Sequence, residues 1–549
     1  MAIRAYSSNK TRSRGSVSTP QTTPMVNEPQ VKNNAGGYVY TVSPADKLMR
    51  FLILGSEGGT YYVSEQDLTK TNLSTIKACL AADWKQTIDT IVSVSVNGRA
   101  AKNDPAIFAL AVAASSEIDE IRAYALSQVH KVCRIPTHLF HFVEFVSGFR
   151  GFGRALRRTL GEWYTSLPAN KLAYEVVKYQ SRDGWSNADI LRLAHPVPQT
   201  EEQQAVFRWI LGAESGERSI RRGAVQKTYP AVSVPVPAIL SAFDALKTEK
   251  NVSRIVDTIQ AHKLTREMIP TEALVHREVW EALLPSMPLT AMVRNLGTMS
   301  KVGLLTPMSQ AAKTVSERLR DAAYIAESRL HPMAILAALK TYESGRGFRG
   351  SNTWTVVPSV TDALNEAFYL SFGNVTPTNK RILLACDVSG SMGSSINNSM
   401  LTCHDAVAAL AMVTARTEQE YFIHGFTGTF VDLGITPKMT LQDAIKKVSR
   451  MAFGSTDCAV PMRWARKQKV QADAFVVLTD NETWAGNIQP VQALEKYRQA
   501  TGIGARLIVV GMTSTGFTIA DPNDAGMLDV VGFDGATPAF MAKFAKGDL

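Results

Sequence analysis

The hydrophobic period of this chain changes once, near Thr376-Pro377-Thr378, so one architecture cannot account for both sides of that point. Before it, apolar residues recur at helical spacing. In 136–146, Leu139, Phe142, Val143 and Val146 fall at i, i+3, i+4 and i+7, one face of a helix. Pro136 stands at a first helical position, where a missing N–H costs nothing. Similar stripes recur at 121–132, 238–246 and 332–342, with no strict repeat. Helix follows helix without strand signals, which predicts stacked antiparallel hairpins of the solenoid kind. After Thr378, apolar runs at 382–386, 421–423, 475–478 and 507–510 read as strands buried on both faces. Helical patterns at 404–417, 441–451, 461–468 and 491–500 alternate with them, and Thr440-x-x-Asp443 has the form of a capping box. Such alternation predicts a parallel sheet with helices on both sides. The fold class is therefore multidomain, α followed by α/β, in keeping with 549 residues, too many for one ordinary core.

The expected boundaries are a tail at 1–37, a helical part at 38–372 and an α/β part at 373–549. The tail is rich in Ser, Thr, Asn, Pro and Gln, with too little apolar content to fold alone, and is expected to be disordered. The longest apolar stretch, 106–114, falls short of the ~20 residues of a membrane helix. The basic N-terminus lacks the apolar centre of a signal peptide. A cytoplasmic protein is expected. Five cysteines, an odd number without paired zinc spacing, predict buried free thiols. From Lys380 onward 16 Lys+Arg face 16 Asp+Glu, so the whole net charge of +10 lies earlier. A polyanionic partner belongs on the N-terminal part, although such an excess also serves solubility.

The strand at 382–386 runs into Asp387-Val388-Ser389-Gly390-Ser391. A carboxylate and two hydroxyls at the carboxyl edge of a sheet lie where open α/β folds place ligands. Oxygen donors suit a hard divalent cation, Mg²⁺ above all, which keeps water or a partner's carboxylate in its remaining positions. Two further elements, Gly454-Ser455-Thr456-Asp457 and Leu478-Thr479-Asp480, stand where loops reach the same edge. Asp387, Ser389, Ser391, Thr456 and Asp480 then form the five-residue pattern of a metal-ion-dependent adhesion site, and this half resembles a von Willebrand factor type A domain. The plainer reading makes Asp387 and the serines turn and cap residues.

The helical half carries longer signatures. Leu48-Met49-Arg50-Phe51-Leu52 precedes Gly55-Ser56-Glu57-Gly58-Gly59-Thr60-Tyr61-Tyr62; further on come Lys178-Tyr179-x-x-Arg182-x-Gly184-Trp185-Ser186, Leu191-Arg192-Leu193-x-His195-Pro196, Arg294-Asn295-Leu296-Gly297 and Arg329-Leu330-His331-Pro332. With Trp280-x-x-Leu283-Leu284-x-x-Met287-Pro288-Leu289-Thr290-Ala291, these resemble the Ro ribonucleoprotein family of bacterial type, with its TROVE module, from about Tyr38 to the C-terminus. The resemblance implies a ring of antiparallel, HEAT-like helical repeats closed near a doubly wound type A domain. It implies binding of Y-like small structured RNA and of misfolded noncoding RNA. The duplex would lie on the outer surface and a single-stranded 3′ end would pass through the central hole. It further implies action in RNA quality control, or as a scaffold beside a 3′-to-5′ exoribonuclease tethered by the RNA. Lys178, Arg182 and His195 fall on the family's RNA-binding positions.

The residues bear on this independently. Lys178 and Arg182 are four apart and would share a face on one helix, placing two cations on successive phosphates. Asp183 and Glu175 would equally make this a solvated face. His195 before Pro196 also suits a helix-end histidine. Arg150, Arg154, Arg157 and Arg158, with no acid between Glu144 and Glu162, share one helical face if the helix begins near Phe149, although Gly151 and Gly153 weaken its first turn. Such a face is either a phosphate track or an exposed helix paired with a neighbour's acids. No catalytic set is found, and backbone recognition of duplex RNA needs none. The alternative is a metal-dependent protein–protein adaptor whose solenoid holds a peptide and whose metal site docks a protein ligand.

Overall fold

Ser43 accepts the amide of Asp46, and Pro44 fills the first helical position, so the first helix starts sharply as Pro44–Leu54. The computed structural model describes residues 18–548 apart from 57–63, 101, 213–229, 231, 329, 348–350, 374–376, 397–399, 452–453 and 532–536. Residues 1–17, Glu57 to Tyr62 of the opening signature, Arg329 and Thr376 therefore lie outside the described residues.

The helices pack in a running series: Pro44–Leu54 on Glu65–Val96, that on Asp104–Ala114, that on Asp119–Ser127 and Pro136–Phe149, and at the far end Gln310–Arg320 and Pro332–Glu343 on Pro358–Leu370. Pro136 opens its helix as expected, and the core face of Pro136–Phe149 carries Leu139, Phe142, Val143 and Val146. The stripe at 121–132 is split into Asp119–Ser127 and Val129–Val132 at Gln128, yet both pieces bury the same core. The series closes on itself. Ile53 and Leu54 at its start line one cavity of ≈ 440 Å³ with Val293, Gly297 and Trp354 near its end. The ring of helical repeats is thus present, with the α/β domain at its seam.

Eleven strands are described. They are β1 (Gln30–Lys32), β2 (Tyr38–Thr41), β3 (Ser181–Arg182), β4 (Trp185–Ser186), β5 (Ile382–Asp387), β6 (Tyr421–Phe426), β7 (Phe430–Asp432), β8 (Ala474–Thr479), β9 (Arg506–Gly511), β10 (Phe517–Thr518) and β11 (Met527–Val531). The main sheet has the order β11-β9-β8-β5-β6-β7, parallel except for the antiparallel edge β7. The chain leaves β5 toward β6 and returns to β8 on the other side, so the topological switch lies between β5 and β8. Alternation along the strands feeds two cores. Leu384, Cys386, Val476 and Leu478 join the core of the helical ring, and Leu383, Ala385, Phe475 and Val477 a second one.

Two expectations are corrected. Residues 18–37 are ordered, not disordered: β1 pairs with β2, β2 pairs with β10, and Met25 is buried in the second core. Their polar side chains are satisfied by the α/β domain, which a composition argument cannot see. The helical part also holds strands, β2 and the β3–β4 hairpin. All five cysteines are buried and free. Among the described residues no helix is long and apolar enough to cross a membrane.

Candidate metal centre and basic surface

The carboxyl ends of β5 and β8 meet at the switch point. Asp387, the last residue of β5, is fully buried; Ser389, Ser391, Thr456 and Asp480 are each 2–6 % exposed. The Ser389 amide donates to Asp387 Oδ1 at 3.0 Å, the Ser389 and Ser391 hydroxyls are 3.2 Å apart, and Thr479 Oγ1 donates to Asp387 Oδ2 at 2.6 Å. The Glu482 amide donates to Asp480 Oδ1 at 3.0 Å. The Thr456 carbonyl accepts from the amides of Trp484 and Ala485 at 3.1 and 3.0 Å, which lays its loop against the one that follows Asp480. The three sequence elements therefore converge.

Burial pushes the Asp387 carboxyl well above the usual carboxylate range, and the charge of Asp480 pushes it further. Burial also raises Asp480. Two buried carboxylates that resist ionising together suit an added cation, which would hold both in the charged form. Among the described residues no group of three or more His, Cys, Asp or Glu is placed to hold a metal. The donor set at this edge is instead two carboxylates with hydroxyls, a set for a hard ion rather than zinc.

Sequence reasoning missed the residues behind these donors. Thr479 holds Asp387. Asn481, in the left-handed region at φ 65°, donates its amide to Thr479 Oγ1 at 3.1 Å. Glu482 is buried, and desolvation pushes its carboxyl up to about 7. Nothing in the spacing signals these roles, since each depends on a loop's backbone conformation. His404 and His424 are buried and their pKa values are lowered by that burial, as befits core residues.

The basic residues are placed differently from expectation. The helix ends at Lys178, and Arg182 sits on β3, so the two do not share a helical face. The reason is Asp183-Gly184, both at positive φ (53° and 80°), which make the tight two-residue turn of the β3–β4 hairpin. An Asp-Gly pair is a strong hairpin signal, and here it prevails over the i, i+4 spacing. Lys178 is half-buried, with its ammonium 5.3 and 5.2 Å from the ring centres of Tyr174 and Tyr179. Arg182 is exposed, 3.6 Å from Asp183.

Arg150 is likewise off the helix: it caps Pro136–Phe149 in extended conformation and donates to the Ser116 carbonyl at 3.1 Å. The next helix begins only at Arg154, because Gly151 and Gly153 intervene. Arg154, Arg157 and Arg158 are exposed on it, Arg158 lying 3.8 Å from Glu162. This helix packs its Gly161 against Pro196, directly after His195. His195 is exposed and ends its helix in the left-handed conformation, its amide donating to the Leu191 carbonyl. The hairpin leans on the same region: Trp185 donates to Glu144 at 2.9 Å, and its ring meets Phe152 edge-on at 5.6 Å. The arginine helix, the His195 turn and the hairpin are thus neighbours on one side of the ring.

Comparison with known proteins covers both domains. Residues 31–341 match the family model of the TROVE domain, and residues 381–545 that of the Ro60 vWA domain. The chain is 40% identical over 545 residues to RNA-binding protein RO60 of Deinococcus radiodurans, covering 98% of this chain and 100% of that one. It is 34% identical over 594 residues to RNA-binding protein RO60 of Caenorhabditis elegans, covering 96% of this chain and 92% of that one. The crystal structure of the Deinococcus radiodurans RO (RSR) protein matches with a TM-score of 0.67 at 37% identity, covering 92% of this chain and 100% of that one. With both domains matched in order and full-length relatives on either side, the chain belongs to the Ro family of proteins, a TROVE domain joined to a von Willebrand type A domain.

Proposed function

We propose that this protein binds RNA on the outer face of its helical ring. The ligands are Y-like small structured RNA and misfolded noncoding RNA, whose duplex lies on the basic surface while a single-stranded 3′ end enters the central hole. Its role is RNA quality control in the cytoplasm, or scaffolding of a 3′-to-5′ exoribonuclease through the RNA; it is a binding protein rather than an enzyme. The observation that carries this reading is the adjacency of the Arg154–Thr165 helix, the His195 turn and the Arg182 hairpin, a cationic surface built from separate elements. The names of the relatives, RNA-binding proteins both, point the same way. At the sheet edge, Asp387, Ser389, Ser391, Thr456 and Asp480 would hold Mg²⁺, which supplies a position for a carboxylate from a protein ligand.

A salt-series gel shift tests the RNA reading, using one structured RNA with and without a single-stranded 3′ tail. Tighter binding of the tailed form, lost in Lys178→Ala/Arg182→Ala, is the expected result. Affinity should fall steeply with salt, and each phosphate contact removed should lower the log–log slope by about 1. Binding of neither RNA at low salt would leave the adaptor reading, in which EDTA or Asp387→Ala abolishes capture of a protein ligand. The exposed ring of Trp484 beside the Thr456 loop gives such a ligand an apolar foothold.

A further inference from the structure

We infer that residues 18–37 are a positioning segment of the metal centre, holding its ligand loops from outside the type A domain; this rests on the metal reading above. The segment bonds directly to the loops of two ligand elements and reaches the third through Asn481 and Thr479. Asn33 Nδ2 donates to the carbonyls of Asn481 and Thr483 at 3.1 and 2.7 Å. The Asn481 amide donates to Thr479 Oγ1, and Thr479 Oγ1 donates to Asp387 Oδ2, so Asn33 stands two residues from the first carboxylate. Asn34 Nδ2 and the Ala35 amide donate to the Glu482 carboxylate at 2.7 and 3.0 Å, and the Glu482 amide holds Asp480, the second carboxylate. Gln21 Nε2 donates to Asp457 Oδ1 at 2.5 Å, and Gln21 Oε1 accepts from Thr483 Oγ1, joining the Thr456 loop to the Asp480 loop.

The contact is shaped as well as bonded. A Cβ on Gly37 would lie 1.9 Å from the Thr483 carbonyl oxygen, so only glycine lets the segment approach this closely. Asn481 is held in its left-handed conformation from a further direction, since its Oδ1 accepts from the Ile519 amide at 3.1 Å. Ile519 directly follows β10, the strand that pairs with β2, and β2 leads into the first ring helix. The metal centre and the start of the ring therefore share one hydrogen-bonded segment. Groups that orient ligands from behind commonly change metal affinity 10- to 100-fold when removed.

The test is Mn²⁺ affinity of the full chain by electron paramagnetic resonance, together with amide exchange of residues 18–37 with and without Mn²⁺. Asn33→Ala should weaken Mn²⁺ binding about 10-fold, and exposed Asn34→Ala by a smaller factor without loss of fold. Lys496→Ala, which removes an exposed contact to Ser18 and none to the ligand loops, should leave affinity unchanged. Mn²⁺ should slow exchange in 18–37, because the coupling is reciprocal. Wild-type binding with unchanged affinity in both asparagine variants would overturn the positioning role alone. Absence of Mn²⁺ binding to the wild type would overturn the metal reading and this inference with it.

Discussion

At the scale of the residue, Asp387 is a carboxylate held where charge is disfavoured. Burial and then the charge of Asp480 raise its pKa. Between the ordinary carboxylate value, about 4, and that raised value, the metal-free native state keeps a proton that the unfolded chain releases. This group's contribution therefore makes the fold less stable as pH rises through the window. Asp387→Asn removes the titration, so in EDTA its stability relative to wild type should grow from about pH 5 to about pH 8, by on the order of 1–2 kcal/mol in urea unfolding. Mg²⁺ should reverse the order, since the ion needs the charged form. A pH-independent difference would assign the strain to some other group. Residue types were legible here: the spacing of Asp387-x-Ser389-x-Ser391, with Thr456 and Asp480, singles out side chains that the fold brings to one sheet edge. Thr479 and Asn481 were not, because a hydroxyl and an amide become positioning groups only through the turn that aims them.

At the scale of the element, short-range signals decide more than long periodicity. Ser186 and Asp189 form a reciprocal capping box, so the hairpin hands the chain directly into Asn187–Ala194. Asp183-Gly184 breaks what spacing alone suggested was one helix from Lys178 to Arg182. Gly297, in the Arg294-Asn295-Leu296-Gly297 signature, shows another local demand. A Cβ there would meet the Trp354 ring at 2.7 Å. That ring is fixed, stacked on Tyr342 at 6.2 Å and donating to the Tyr342 carbonyl at 2.9 Å. Gly297→Ala should cost about 1–3 kcal/mol by overpacking, read as a lowered Tm. An unchanged Tm would mean the ring moves freely and is not part of the seam.

At the scale of the molecule, ion pairs with buried carboxylates tie the two domains together at the seam. Arg50, fully buried on the first ring helix, meets Asp529 of β11 at 2.7 and 2.6 Å and donates to the Thr515 and Phe517 carbonyls at 2.6 and 2.8 Å. A second pair joins Lys340 of the Pro332–Glu343 helix to buried Asp405. Arg50→Ala would strand the Asp529 charge and should cost about 3–5 kcal/mol. Arg50→Met with Asp529→Leu should recover most of it, because no charge is then left unpaired. Denaturant unfolding of the three proteins checks both statements. A double variant as weak as the single one would show that the guanidinium's carbonyl contacts, rather than the ion pair, hold the seam.

The sequence by itself determined the two architectures, the positions of β5, β6, β8 and β9, the buried thiols and the meeting of Asp387, Ser389, Ser391, Thr456 and Asp480 at one sheet edge. Each of these follows from local periodicity, or from motifs whose residues fold into place by connectivity. Tertiary structure alone decided that residues 18–37 are ordered and that β2 belongs to a sheet with β10. It also decided that Arg50 finds Asp529 across 479 positions of chain. Polar residues such as Gln21, Asn33 and Arg50 carry no hydrophobic pattern to read. They become structural only when distant backbone and carboxylate groups arrive to satisfy them, and those groups belong to the α/β domain.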